Sequence, residues 1–198
     1  HQWSYGREAA GVMAACVAAA ADPGAPLSQV LDVATLLARD GTGAAIRVAL
    51  DTVRGLTAWR AAVEPLQAAL LPFMPGGWTA DRRPSGQPSR DGAIEELPAA
   101  LAPLAGTGGE FSESVIAAAN YGHDADSIAV MAGCIAGALG GTAAIPTAWA
   151  ETVTRRNRID FAAMGAELFD LFVDLETRAW REATARRERL GLGEKERV

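Results

Sequence analysis

The sequence is poor in the residues that build β-sheets. Aromatic side chains make up 6% of the 198 residues, and long runs of valine, isoleucine or threonine are missing. Because β-branched and aromatic residues are the ones enriched in strands, their scarcity argues against a fold built on sheets. Alanine, leucine, glutamate and arginine, which are strong helix formers, are abundant instead. The composition therefore predicts an all-α fold, and the length is sufficient to bury a hydrophobic core.

Cysteine is also scarce, and the start of the chain lacks the pattern of a secretory leader. The two cysteines, Cys16 and Cys134, lie far apart in alanine-rich stretches without metal-binding spacing, so we expect buried, reduced thiols. The first residues, HQWSYGREAAG, contain no basic segment followed by an apolar one. We therefore expect a cytoplasmic protein. An initiator methionine is absent as well, so we expect the chain to begin at a cut, at a processing site or at a boundary chosen for expression.

A basic surface and a membrane span are both disfavoured. The formal net charge is −6, which argues against non-specific binding to nucleic acid. Residues 127–145 form an uncharged run of 19 residues, which is long enough to cross a bilayer. The run consists mainly of alanine and glycine, however, so its transfer into lipid would be only weakly favourable. We expect a tightly packed interior helix in which Gly133, Ala136 and Gly137 let neighbouring helices approach closely.

The chain is expected to form a single all-helical domain over residues 1–198. Apolar residues recur at helical spacing in several segments, the last of them over about residues 160–189. Proline, glycine, serine and charged residues dominate residues 72–92, which predicts one long loop. Trp78 lies in this loop, where it would either close over a ligand or anchor the loop.

The stretch NYGHDADSIAV places Asp124, Asp126 and Ser127 at the start of an apolar helical run. One interpretation is a helix cap, because aspartate is favoured at the N-cap and negative charge suits the first turn. The other is part of a metal site, since carboxylate and hydroxyl oxygens are ligands for magnesium, manganese or calcium. The acidic spacing of an EF-hand loop does not follow, so that calcium site is excluded. The spacing alone leaves both interpretations open, and three ligands do not complete a six-coordinate site.

The same region contains an ordered set of motifs over about 60 residues. The motifs are Glu95-Glu96-Leu97-Pro98, an apolar helix ending at Asn120, a glycine before Asp-x-Asp-Ser-Ile-Ala, a glycine- and alanine-rich helix, and Ile145-Pro146 with Trp149. In this order they closely resemble the C-terminal half of the ADP-ribosylglycohydrolase family. Its members remove ADP-ribose from dinitrogenase reductase and from modified arginine or serine. Asp-x-Asp alone is a weak signal, whereas the ordered set is a strong one.

The resemblance implies a compact domain of orthogonal helices with a binuclear magnesium site, sometimes a manganese site, at its centre. By position, Asp124, Asp126 and Ser127 would be metal ligands, and the two aspartates would also be the catalytic residues. Metals held in this way can align ribose hydroxyls and activate a water for attack at the anomeric carbon.

The resemblance also suggests which residues contact the substrate. His1 and Gly6 match the spacing of a histidine and a glycine that open a helix near the ligand in the family. His123 would either touch the ligand or have a structural or solvent-facing role. With Trp78 of the long loop, these residues are the candidate substrate-binding set.

One part of the family pattern is missing from this sequence. The family's N-terminal half normally contains a Thr-Asp-Asp metal motif, and no Thr-Asp-Asp occurs here. We therefore expect this chain to hold half of the metal site. The N-terminal half would be supplied by a second chain or by a missing segment, because uncovered helices would otherwise expose large apolar patches.

The function implied by the resemblance is hydrolysis of an N- or O-glycosidic bond to ribose. The substrate would be an ADP-ribosylated protein or a ribose-containing small molecule, and we expect neither a nucleic acid nor a membrane as partner. Two alternatives from other classes remain open. The chain could be a non-catalytic module that binds ADP-ribose or a nucleotide, or a structural helical domain whose aspartates are caps.

Overall fold

Helices account for all the regular secondary structure in the described part of the chain. The computed structural model describes residues 5–56, 58–74 and 92–192, and these contain no strand. The all-α prediction is therefore confirmed. The α-helices are α1 (Tyr5–Ala20), α2 (Leu27–Leu37), α3 (Asp40–Val53), α4 (Val63–Leu70), α5 (Gly92–Thr107), α6 (Phe111–Ala119), α7 (Ala125–Gly140), α8 (Thr147–Asn157) and α9 (Phe161–Arg189).

The chain divides into two compact units, residues 1–146 with α1–α7 and residues 147–198 with α8 and α9. The single domain over residues 1–198 stays a prediction. Most of the expected loop at residues 72–92 lies outside the described residues, including Trp78. At its edges, residues 71–73 form a short 3-10 turn and Gly92 already belongs to α5.

Helix α5 is the centre of the first unit. Ten of its 16 residues are buried, and they lie on all sides of the helix between Ile94 and Leu104. A helix that is apolar all round is one that other helices surround. Helices α1, α3, α6 and α7 all contact α5, so its position fixes theirs.

Helix α7 packs closely against α6, as its small residues predicted. A Cβ atom on Gly133 would lie 3.4 Å from Val115, and one on Gly137 would lie 3.6 Å from Phe111. One face of α7 is buried, with Ile128, Ala132, Ile135 and Ala136, but the opposite face is exposed, so the expectation of an interior helix is wrong for that face. The helix ends before Gly141, whose φ of 64° interrupts it. No helix in the described ranges is long and apolar enough to cross a membrane.

The two cysteines differ in exposure, so the expectation that both are buried is wrong for one of them. Cys16 is buried in α1, whereas Cys134 is exposed on α7. Cys134 lies two residues from both Ala132 and Ala136, and two residues along a helix correspond to about 200° of rotation. The alanine-rich context was therefore a poor guide, because it surrounds both faces of α7.

In the second unit, Asp160 begins α9 by accepting a hydrogen bond from the backbone N–H of Ala163 at 2.9 Å. The helix keeps the apolar spacing seen in the sequence. These side chains are exposed, among them Phe161, Met164, Leu168, Leu171, Phe172 and Leu175.

The two thiols are expected to react at very different rates. Burial raises the pKa of Cys16 to about 11, so near pH 8 only about one molecule in a thousand carries the reactive thiolate. Cys134 is accessible, and we expect one thiol to react rapidly with a disulfide reagent in the folded protein and two after denaturation. The Cys134→Ser variant should lose the rapid reaction and Cys16→Ser should keep it. Rapid reaction of both thiols in the folded protein would contradict the burial of Cys16.

Candidate functional site

The loop between α6 and α7 is held in an unusual backbone conformation. The side chain of Asn120 donates to the carbonyl of Ile116 at 2.7 Å and closes the end of α6. Gly122 follows with a φ of 90°, and His123 has a φ of 54°. Two consecutive residues in the left-handed region reverse the chain sharply, and glycine adopts that region most readily. The turn brings Asp124 to the start of α7.

Asp124 occupies the N-cap position of α7, but its side chain caps no N–H of the helix. Instead, the Asp124 side chain acts on the carboxyl group of Asp126, two residues along the chain. The Asp124 side chain first, and then the backbone N–H groups of Asp126 and Ser127, hold the pKa of Asp126 below its usual value. The Asp126 carboxylate is therefore ionised at neutral pH. The side-chain cap, one of the two interpretations of the sequence, is not what Asp124 forms.

A buried carboxylate lies directly behind this turn. Glu95 of α5 is 2% exposed. Its Oε1 atom accepts a hydrogen bond from the Tyr121 hydroxyl at 2.8 Å and lies 2.6 Å from His123 Nδ1. The rings of Tyr121 and His123 meet edge to face, with centroids 5.6 Å apart. Burial, and then the negative charge of Glu95, raise the pKa of Tyr121 far above its usual value, so its hydroxyl stays a donor.

A second contact holds the turn from the side of α4. The Gln67 side-chain amide donates to the carbonyl of Tyr121 at 2.7 Å. A Cβ atom on Gly122 would lie 3.5 Å from the same amide nitrogen, which is an ordinary contact distance. Residues 121–123 are thus fixed by side chains from two separate helices.

The N-terminal ends of α1, α3 and α5 lie next to one another. A Cβ atom on Gly41 of α3 would lie 3.2 Å from the ring of Tyr5 and 3.3 Å from Ile94. Glu8 of α1 also accepts hydrogen bonds from the backbone N–H of Arg39 at 2.5 Å and from the Thr42 hydroxyl at 2.8 Å. Since Ile94 precedes Glu95, the start of α1 lies at the same end of α5 as the turn.

The predicted site residues fall into three groups. The structure brings Asp124, Asp126, Ser127 and His123 together at the start of α7. Gly6 is the second residue of α1, beside Tyr5. His1 and Trp78 lie outside the described residues.

Comparison with known proteins identifies the family of this chain. The sequence profile of the ADP-ribosylglycohydrolase family matches residues 1–179. The chain belongs to this family. The resemblance found in the sequence is therefore confirmed, and the nine described helices agree with the all-α architecture it implied.

A shorter match involves a characterised relative. Over 60 residues the chain is 43% identical to the ADP-ribosylarginine hydrolase Tri1 of Pseudomonas putida (strain GB-1). The aligned segment is 30% of this chain and spans only 16% of that hydrolase. No solved structure matches the chain.

The sequence alone does not identify two residues of the site, Glu95 and Tyr121. In the sequence, Glu95 is part of a motif without an assigned role, and no pattern marks Tyr121. A signal for Glu95 was present, because Pro98, Ala99 and Ala102 follow it at helical spacing and all are apolar. Tyr121 offered no comparable signal, since its partner lies 26 residues away in the sequence.

The donors at the start of α7 fit part of a magnesium site. Two carboxyl groups this close repel each other when both are ionised, and a divalent cation between them removes that repulsion. Their oxygens, with the hydroxyl of Ser127, are hard donors of the type that magnesium prefers. In the portion of the chain that the structure describes, however, no three histidine, cysteine, aspartate or glutamate side chains converge on one cation position.

The left-handed conformation at Gly122 gives a direct prediction. Gly122→Ala is expected to lower the free energy of unfolding by about 1–2 kcal/mol, because alanine is strained at positive φ although space is available. The matched control is Gly11→Ala in α1, where a Cβ atom meets nothing within 4 Å and φ is helical. That change is expected to stabilise the protein by about 0.5–1 kcal/mol. Denaturant unfolding followed by circular dichroism measures both, and an unchanged stability of Gly122→Ala would contradict the constraint.

Proposed function

We propose that this chain forms part of a magnesium-dependent hydrolase that cleaves an N- or O-glycosidic bond to ribose. The substrate is an ADP-ribosylated protein or another derivative of ADP-ribose. The observation that supports this most strongly is the pair of carboxyl groups on Asp124 and Asp126. They meet at the start of α7 without capping it, in a chain that belongs to the ADP-ribosylglycohydrolase family.

Asp124, Asp126 and Ser127 would hold magnesium or manganese in a site for two ions. Bound there, the metal would orient ribose hydroxyls and make a water molecule more nucleophilic. The aspartates can accept the proton that the water loses as its oxygen bonds to the anomeric carbon. The bond from that carbon to the nitrogen or oxygen of the leaving group breaks, and the leaving group takes up a proton.

The remaining metal ligands are proposed to come from the N-terminal half of the same fold, as a second chain or another segment. Six oxygen ligands are usual for magnesium, and the three donors at α7 fall short of that number. Intact mass spectrometry of the natively purified protein would detect a companion chain.

Substrate contacts are proposed for His123, Gly6, His1 and Trp78. His123 adjoins Asp124, and 21% of its side-chain surface is exposed. Gly6 lies in α1, whose start is at the same end of α5 as the turn. Because the relative from Pseudomonas putida is an ADP-ribosylarginine hydrolase, arginine-linked ADP-ribose is the first substrate to test. We also propose that the protein is cytoplasmic.

The aspartate pair can be tested by two separate measurements. Asp126→Asn should abolish binding of Mn²⁺, followed by its electron paramagnetic resonance signal, because the ionised carboxylate is lost. In the natively assembled protein it should also lower the rate of ADP-ribosylarginine hydrolysis by about 100-fold or more. The matched control is Asp32→Asn on α2, an exposed aspartate with the same change of charge.

The outcomes separate the proposed hydrolase from its alternatives. Undiminished metal-dependent hydrolysis by Asp126→Asn would contradict the assignment. Tight binding of ADP-ribose without turnover, in a fully assembled wild-type protein, would indicate a non-catalytic binding module. An absence of Mn²⁺ binding and of ADP-ribose binding in that same protein would leave only a structural helical domain.

A further inference from the structure

Glu95 is a buried charge that the proposed hydrolysis does not use. It is the only charged side chain among the buried residues of the described ranges. Burying a carboxylate costs free energy unless hydrogen bonds compensate it. The neighbouring positions on the same face of α5 hold Pro98, Ala99 and Ala102, all apolar. If position 95 had only a packing role, an apolar residue there would be buried at a lower cost in free energy.

The partners of Glu95 indicate what the charge does. Both of them, Tyr121 and His123, flank Gly122, and both contact the same oxygen, Oε1. One carboxylate oxygen of Glu95 thus contacts the residue before Gly122 and the residue after it. Its contact with His123 lies one residue before Asp124, the first residue of the carboxyl pair.

The backbone conformation explains why such a contact is needed. His123 is not glycine, and a φ of 54° is strained for a residue with a Cβ atom. Strained backbone persists only where surrounding contacts over-determine it. Without an anchor, the turn would relax and Asp124 would lose its fixed position relative to Asp126.

We propose that Glu95 is a positioning residue for the carboxyl pair: by holding Tyr121 and His123, it fixes the turn that presents Asp124 and Asp126 to a divalent cation. This inference rests on the proposed function, since it assumes that the pair binds metal. Glu95 acts through His123, which precedes Asp124, and through the backbone of the turn.

The test compares Mn²⁺ affinity with folding stability in four variants of the full chain. Glu95→Leu removes the carboxylate but leaves the buried Tyr121 hydroxyl without its acceptor. The double variant, Glu95→Leu with Tyr121→Phe, removes the carboxylate and the Tyr121 hydroxyl together. This restores apolar packing, but His123 still lacks its contact with Glu95. Glu95→Gln keeps an acceptor oxygen. His123→Asn removes the imidazole while placing a residue that tolerates positive φ.

The double variant is the decisive one. We expect its thermal stability to return close to that of the wild type while its Mn²⁺ affinity stays about tenfold lower, the size of effect seen when supporting contacts of metal ligands are removed. His123→Asn should show a similar loss of affinity. Glu95→Gln should bind Mn²⁺ within about threefold of the wild type, because the amide oxygen can still accept from Tyr121. The control Glu64→Gln, an exposed glutamate of α4, should leave affinity unchanged.

The failures of the two proposals are distinguishable. If the double variant and His123→Asn both bind Mn²⁺ as tightly as the wild type while Asp126→Asn does not bind it, Glu95 has only a structural role and the inference is overturned. If Asp126→Asn also binds Mn²⁺ like the wild type, the carboxyl pair is not a metal site and both proposals are overturned.

Discussion

The hydrogen bonds of the Glu95 carboxylate connect the core of the first unit to its candidate site. Glu95 belongs to α5, the helix that α1, α3, α6 and α7 all contact. Its Oε1 atom accepts from Tyr121 and lies 2.6 Å from His123 Nδ1, and these residues form the turn that begins α7. Because a buried carboxylate is stable only with such partners, the packing of α5 and the conformation of the turn depend on each other. A change in the core at position 95 therefore reaches the site directly.

Small side chains make that connection geometrically possible. Helix α7 packs against α6, and a Cβ atom on Gly133 or Gly137 of α7 would meet a side chain of α6 at contact distance. Gly122 supplies a φ of 90° at the centre of the turn, and Gln67 holds the carbonyl that precedes it. The start of α7 is thereby fixed from α4 and α5 at once.

The sequence predicted the local features of this arrangement well. Helical spacing and composition indicated the all-α class, and the ordered motifs around Asp-x-Asp identified the family, whose profile also matches the chain. Close packing at Gly133 and Gly137 was expected from residue size alone. The sequence did not indicate that Cys134 faces outward, because alanine surrounds both faces of α7 and the apolar pattern there has no clear direction. Nor did it decide between a helix cap and part of a metal site at Asp124, since both use the same residues in the same order.

The sequence by itself determined the type of each helix and the donors that meet at the start of α7, because helix propensity, glycine at positive φ and neighbouring side chains act over a few residues. Only the tertiary structure decided that Glu95 faces Tyr121 and His123. These residues are 26 and 28 positions from Glu95, and no local preference brings them together. Their contact results from the packing of α5 against α6 and α7, in which many weak apolar contacts fix the one place where a buried carboxylate finds its donors.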